Sequence, residues 1–250
     1  MGKYFTVSVK PVLPVATQIQ SNKTDLVFAG GDVMFDWTAF DIPKGAAKLV
    51  DIVMIMRGAQ TVKGVDVFFA KTDPDGVTAP GSIGTGNATA DGTGYYRNVI
   101  GAVHFNTSAF KQDLDNITVG TLGHGATADQ IPACVLQGVP ESGTNVGFDK
   151  LYVGATVGGG SGYNFSTGIL ADGAVSAGAA SNFDVKTVSA LNFFDIGDTV
   201  HVHDSDTAIG TVKSLTATNI VLDAVTGVAI ADEDEIINAS PVELILCFEK

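Results

Sequence analysis

Apolar and polar positions alternate in short runs along almost the whole chain, and clusters of Gly, Pro, Asn and Asp separate the runs. A period of two with turn residues between is the pattern of half-buried strands rather than helices. It predicts strands at Tyr4–Val9, Leu26–Phe28, Val33–Phe40, Lys48–Arg57 and Val65–Lys71, then at Tyr95–Phe105, Ile117–Leu122, Ala133–Gln137 and Leu151–Val157. The stretch from Gly58 to Gly64 suits a hairpin connection between two of them. Only Asn106–Leu114 reads as a short helix, with Asn106 or Thr107 as its cap.

Glycine marks the interruptions. The stretch from Thr72 to Gly94 holds six glycines and little to bury, so it is expected to be an exposed excursion. Val157-Gly158-Gly159-Gly160-Ser161-Gly162 has the composition of a flexible linker, and Ser176–Ser181 is a second candidate. Residues 183–238 then read as a small barrel, with strands near Val185–Leu191, Thr199–His203, Ala208–Leu215, Asn219–Leu222 and Glu235–Ile237 and a hairpin tip at His203–Thr207. After Pro241 comes Val242–Phe248, whose apolar content matches the strands of the first half. That run is expected to return beside Tyr4–Val9, which makes the barrel an insertion. The expected fold is all-β: an antiparallel jelly-roll-like β-sandwich of residues 1–157 plus 241–250, with a linker and an inserted small β-barrel at 158–240.

Composition narrows the function. The chain of 250 residues carries 14 Lys+Arg against 27 Asp+Glu, a formal charge of −13. Such a balance argues against nucleic acid as a partner, because phosphate is repelled and few cations are offered. Only 16% of residues are charged and 45% are apolar, which excludes intrinsic disorder. The longest apolar stretch, Leu49–Met56, is interrupted by Asp51 and is too short for a membrane helix. The first residues lack the apolar run of a secretory leader. No membrane partner is therefore expected, and the positive mean hydropathy of +0.27 points to a packed core or to surface buried between subunits. Cys134 and Cys247 each sit in an apolar run and read as buried small hydrophobes, in keeping with assembly inside a cell.

Candidate chemistry is sparse. His201 and His203 stand two apart on one predicted strand, so their rings share a face with Thr199, and Asp198, Asp204 or Asp206 lie near. A metal would need a third ligand that the spacing does not supply, so a solvated or interface-facing strand is the plainer reading. Asp73-Pro74-Asp75-Gly76 opens like a calcium loop, but Gly84 occupies the place of the bidentate Glu, and a type I turn accounts for the four residues. Asp232-Glu233-Asp234-Glu235 reads as a solvated turn, with a weak divalent-cation site as the alternative. His104 and His124 are isolated from any nucleophile. No serine elbow, Walker loop or dinucleotide fingerprint occurs, and Gly158–Gly162 precedes no helix that could lend a dipole to phosphate. Tyr95-Tyr96-Arg97 and Trp37 could stack on a sugar. No catalytic residue, cofactor or metal ligand is assigned.

Two stretches resemble known virion components. Asn192–Val202, Ile209–Leu215, Asn219–Asp223 and Asp234–Ile237 are similar to small β-barrel modules of tailed-phage virion proteins: Gly197-Asp198 opens a strand, Gly210-x-Val212 follows a hairpin, and a late acidic turn closes the unit. Gly30–Val33, Ile42–Ile52 and Val65–Phe69 look like the β-sandwich half of phage structural proteins that bind the outside of a capsid or form part of a tail. The resemblance covers about half the chain and brings no catalytic residue with it. It implies a non-enzymatic virion structural protein, assembled in the host cytoplasm, that decorates or stabilises the outside of a phage capsid. The alternative is a tail or receptor-binding component with a carbohydrate-binding β module. Implied partners are the major capsid protein or other virion subunits and further copies of the chain, a trimer being expected because capsids offer threefold positions. Met1–Asp25, extended by Pro11 and Pro14 and then polar, reads either as an arm docking on a neighbour or as an edge strand followed by a loop.

Overall fold

The computed structural model describes residues 3–13, 27–58, 63–71, 83, 98–114, 117–123, 134–138, 148–159, 163–165, 167–202 and 208–250. Their strands, in chain order, are β1 (Tyr4–Val9), β2 (Val27–Phe28), β3 (Val33–Pro43), β4 (Ala47–Arg57), β5 (Val65–Ala70), β6 (Val99–Phe105), β7 (Phe110–Leu114), β8 (Ile117–Gly123) and β9 (Cys134–Leu136). They continue with β10 (Phe148–Val157), β11 (Tyr163–Asn164), β12 (Leu170–Ala171), β13 (Asn182–Lys186), β14 (Thr199–Val202), β15 (Ala208–Leu215), β16 (Asn219–Leu222), β17 (Ile236–Asn238) and β18 (Val242–Glu249). The protein is all-β, and its strand pairings are antiparallel.

One sheet runs β1-β18-β4-β8-β7, with β9 beside the start of β4, and the other runs β3-β10-β5-β6. Number β1, β3, β4, β5, β6, β8, β10 and β18 from first to eighth. The sheets then read first-eighth-third-sixth and second-seventh-fourth-fifth. Two interlocked Greek keys of this kind make a jelly roll. The alternation seen in the sequence builds its core: β18 buries Val242, Leu244, Leu246 and Phe248 while Glu243, Ile245, Cys247 and Glu249 face outward. Leu49, Ile52, Met54 and Met56 of β4 and Leu151, Val153 and Ala155 of β10 belong to the same cluster. Val242–Phe248 thus lies between β1 and β4, with Tyr4 across from Glu249 and Val242 across from Met56.

Residues between β10 and β18 form a second sheet system, β12-β13-β16-β15-β14-β17. A bridge between Leu170 and Glu235, with Ala171 N–H donating to Asp234 O at 2.8 Å, brings its outer strands together, so the sheet is nearly closed. Ile169, Phe183, Val185, Val200, Ile220 and Ile236 fill it. The hydrophobic clusters divide between Phe165 and Ile169 on the way in, and between Ile236 and Ile237 on the way out.

Several local expectations are corrected. Asn106–Leu114 is not a helix: a 3₁₀ turn at Thr107–Ala109 leads into β7, because pairing with β8 lays the Phe110 ring on Gly120, where a Cβ would come within 2.4 Å of it. The strand expected at Val185–Leu191 stops at Lys186, where Thr187 turns to a positive φ of 76° and ends the pairing. Ser176–Ser181 is no linker, since Gly178 donates to Thr226 O and Thr226 to Ala180 O, both at 2.8 Å. The glycine run after Val157 begins buried: Gly158 N–H donates to Gly64 O at 2.8 Å, and the two backbones approach so closely that a side chain on Gly158 would collide. Gly160–Gly162 lie outside the described residues. Of the Thr72–Gly94 excursion one point is described, Ile83, and it is fully buried, its N–H held by Asp36 at 2.9 Å and its side chain over Gly154 beside Trp37.

Just past the glycine run, β11 pairs with β2 and sets the fully buried Tyr163 against Phe165. Its hydroxyl donates to Lys63 O and accepts from Lys63 N–H. Burial pushes this phenol from an ordinary 10.0 up to about 12, the Lys63 contact opposing it. The folded state therefore keeps the proton that the unfolded chain releases first. Stability should be intact below pH 10 and fall by about 1.4 kcal/mol per pH unit from there to the folded pKa. Denaturant unfolding across that window should show the slope in the wild type and lose it in Tyr163→Phe. An unchanged slope would place the titration elsewhere.

Candidate functional site

The densest polar cluster joins the barrel to the sandwich. Gly197, at a positive φ of 90°, turns the chain so that Asp198 enters β14 with its carboxylate fully buried. Four groups converge on it. Lys10 Nζ lies 3.1 Å from Oδ1, while Oδ2 accepts from Asn238 Nδ2 at 2.7 Å and from Asp195 N–H at 2.8 Å, with Arg57 Nε 3.7 Å away. Arg57 also bonds Asp195 Oδ2 at 2.7 Å. Lys10 follows β1 and Arg57 ends β4, so both cations come from the sandwich and both carboxylates from the barrel. Backbone bonds run through the same place: Leu13 N–H to Ala239 O at 2.7 Å, Ala239 N–H to Thr199 O at 2.9 Å and Arg57 N–H to Pro241 O at 2.9 Å. Leu13, Ile237 and Ala239 belong to the sandwich cluster. The barrel is thereby locked in one orientation.

This junction decides the place of His201. His201 pairs with Ala208 and Ile237, and cross-strand partners share a face. Ile237 packs in the sandwich core, so His201, expected on a solvated or interface-facing strand, is buried inside the molecule. Asp198, a possible third ligand, is engaged by cations and amides. His203, Asp204 and Asp206 lie outside the described residues, as do the Asp73–Gly76 turn, Gly84, His124 and Tyr95–Arg97. Among the described residues no three His, Cys, Asp or Glu side chains converge as a metal would require.

The acidic run is a turn. Glu233 has a positive φ of 69°, and Asp234 accepts from Ala231 N–H at 2.6 Å. Asp232 accepts from Gly173 N–H and Lys186 Nζ, each at 3.0 Å. These two contacts hold its carboxyl below the usual range, the Gly173 amide first. Lys186 also faces Asp172 and Glu233 at 3.6 Å, so one lysine balances three carboxylates.

Cys134 is buried in the core against Gly101, and burial raises its thiol pKa. Cys247 departs from expectation: it is half-buried on the outer face of its sheet, between Thr6 and Asp51. Burial and then the Asp51 charge push this thiol up, which favours its protonated form. Trp37 is half-buried and packs over Gly154 and Ile83 rather than standing clear as a sugar platform.

One pair escaped the sequence reading. His104 Nδ1 lies 2.6 Å from Asp66 Oδ1 on the outer face of β5 and β6, joined by strand register across 38 positions. A shallow open depression of about 210 Å³ lies between residues 185–189 and 217–218, around Thr187. It is smaller than the ~300–1,000 Å³ usual for a small-molecule site. Of the two readings of Met1–Asp25, the described part, residues 3–13, takes the edge strand, on β18, followed by a segment tied to Ala239 through the buried Leu13. No protein-family model matches the sequence, and no curated protein matches it.

Proposed function

We propose that the protein is a non-enzymatic structural component of a phage particle, decorating or stabilising the outside of the capsid through contacts with the major capsid protein and with its own copies. The observation that carries this reading is the first-eighth-third-sixth over second-seventh-fourth-fifth strand order, the jelly roll used repeatedly in virus particles. The fixed barrel suits the role, because a module locked to its scaffold by Asp198, Lys10 and Arg57 presents one surface to a lattice. A formal charge of −13 suits an outward position better than one lining packaged DNA.

The test is co-sedimentation of the purified protein with bare capsids of its own virus. Saturable, stoichiometric attachment is the expected result. Failure to attach, together with retention on a glycan array, would replace this reading with the receptor-binding one, since jelly rolls also serve as lectins.

A further inference from the structure

The outermost strands of the two sandwich sheets are not alike. An exposed strand edge offers a row of unpaired N–H and C=O groups, and proteins usually blunt it with bulges or charges. β3 carries Asp36 and Asp41, and its register to β10 breaks twice. β7 carries Lys111, and its register to β8 breaks. β6 carries His104 and is irregular at Val99 against β5. β1 has none of these devices. Its six residues, Tyr-Phe-Thr-Val-Ser-Val, pair with β18 in unbroken register and include no charge.

The direction of its backbone groups follows from one pair. Lys3 N–H donates to Lys250 O at 3.1 Å and Lys250 N–H to Lys3 O at 2.9 Å, so Lys3 faces β18. Bonded pairs alternate along an antiparallel ladder. Phe5, Val7 and Val9 therefore also face β18, and Tyr4, Thr6 and Ser8 turn their N–H and C=O groups outward. Among the described residues no strand pairs with that side.

We infer that this edge is a self-pairing surface, on which a second copy of the chain adds its own β1 antiparallel about a two-fold axis at Thr6. The register is set by the backbone. Placing Thr6 opposite Thr6 of the partner subunit puts Tyr4 opposite Ser8 and Ser8 opposite Tyr4. Each of these three pairs is then a bonded pair, and every outward N–H and C=O of the three residues is used. Shifting by one pair in either direction leaves one of the three without its opposite number. Charge agrees with this register, because Lys3 falls opposite Val9 and no lysine meets a lysine. A two-fold contact between identical patches closes at two copies. The assembly is thus a dimer, in place of the trimer expected from capsid symmetry. The inference rests on edge geometry and does not depend on the virion reading.

Light scattering and amide exchange on the full chain test it. The wild type should have twice the 25.7 kDa chain mass, and exchange at Tyr4, Thr6 and Ser8 should slow as concentration rises. Thr6→Pro should be monomeric with an unchanged far-UV spectrum, since the amide it removes points outward and proline is tolerated on an edge. Thr6→Lys should also be monomeric, because the axis brings like charges together. A wild type that stays monomeric at all concentrations, a threefold mass, or a dimer that persists in both variants would each overturn it.

Discussion

Asp198→Ala should destabilise the folded chain by about 3 kcal/mol, the lower end of the ~3–5 kcal/mol seen when one partner of a buried ion pair is removed. The lower end applies because the cations left behind are not sealed off: the Lys10 and Arg57 side chains remain 29% and 16% exposed, and water can reach them. The cost is still large because the Asp195 amide loses its acceptor and Asn238 loses one of its two, both at the seam between barrel and sandwich. The same change should weaken cooperation between the two halves. Trp37, the only tryptophan, sits in β3 and reports on the sandwich, whereas far-UV circular dichroism reports on both halves. The two signals should coincide in the wild type and separate in the variant, the standard sign that unfolding has ceased to be two-state. A loss below about 1 kcal/mol with coincident transitions would mean that the apolar contacts of Leu13, Ile237 and Ala239 hold the barrel without the charges.

How far the sequence carried these conclusions depended on the range of the interaction concerned. Strand positions were legible wherever alternation was clean: Tyr4–Val9, Ala208–Leu215 and Asn219–Leu222 coincide with β1, β15 and β16. The place of Val242–Phe248 was legible from its apolar pattern after Pro241. Local misreadings have local causes. Asn106 resembles a helix cap, yet the side chain that decides the conformation is Phe110, whose ring needs the bare Gly120 on the next strand. Thr187 ends β13 at a positive φ, and a threonine gives no warning of that conformation. The excursion after Lys71 holds little to bury, yet its one described residue, Ile83, fills the space above Gly154. The junction was out of reach for a different reason. Lys10 and Asp198 are 188 positions apart and Arg57 and Asp195 are 138 apart, so only the completed topology brings them together. In the sequence Asp198 reads as a neighbour of His201 along the strand rather than as the anchor of the barrel.

Phe248→Ala should be at least as damaging, at about 3–5 kcal/mol, the usual cost of removing a buried phenylalanine ring. The ring is fully buried in β18, stacked on Phe5 at 5.2 Å and near Phe40 of the opposite sheet at 6.5 Å. Its loss leaves a cavity between the sheets at a strand hydrogen-bonded on both sides, where neighbours cannot close in without breaking register. Against a total stability of ~5–15 kcal/mol for an ordinary domain, such a loss should shift the denaturation midpoint visibly. Phe5→Ala is the control, since Phe5 is only partly buried on the edge strand and should cost less. If the two changes cost the same, the sandwich is not centred on its last strand. The order of assembly follows from the same placement. The eighth strand fills the slot between the first and the third, and Tyr4 meets Glu249 across 245 positions. That sheet cannot close until the chain has passed through the barrel. Long-range pairing of this kind slows folding, so refolding should be slow, and Phe248→Ala should slow it further if β18 docks at the rate-limiting step. Should the variant speed unfolding alone, β18 docks after that step.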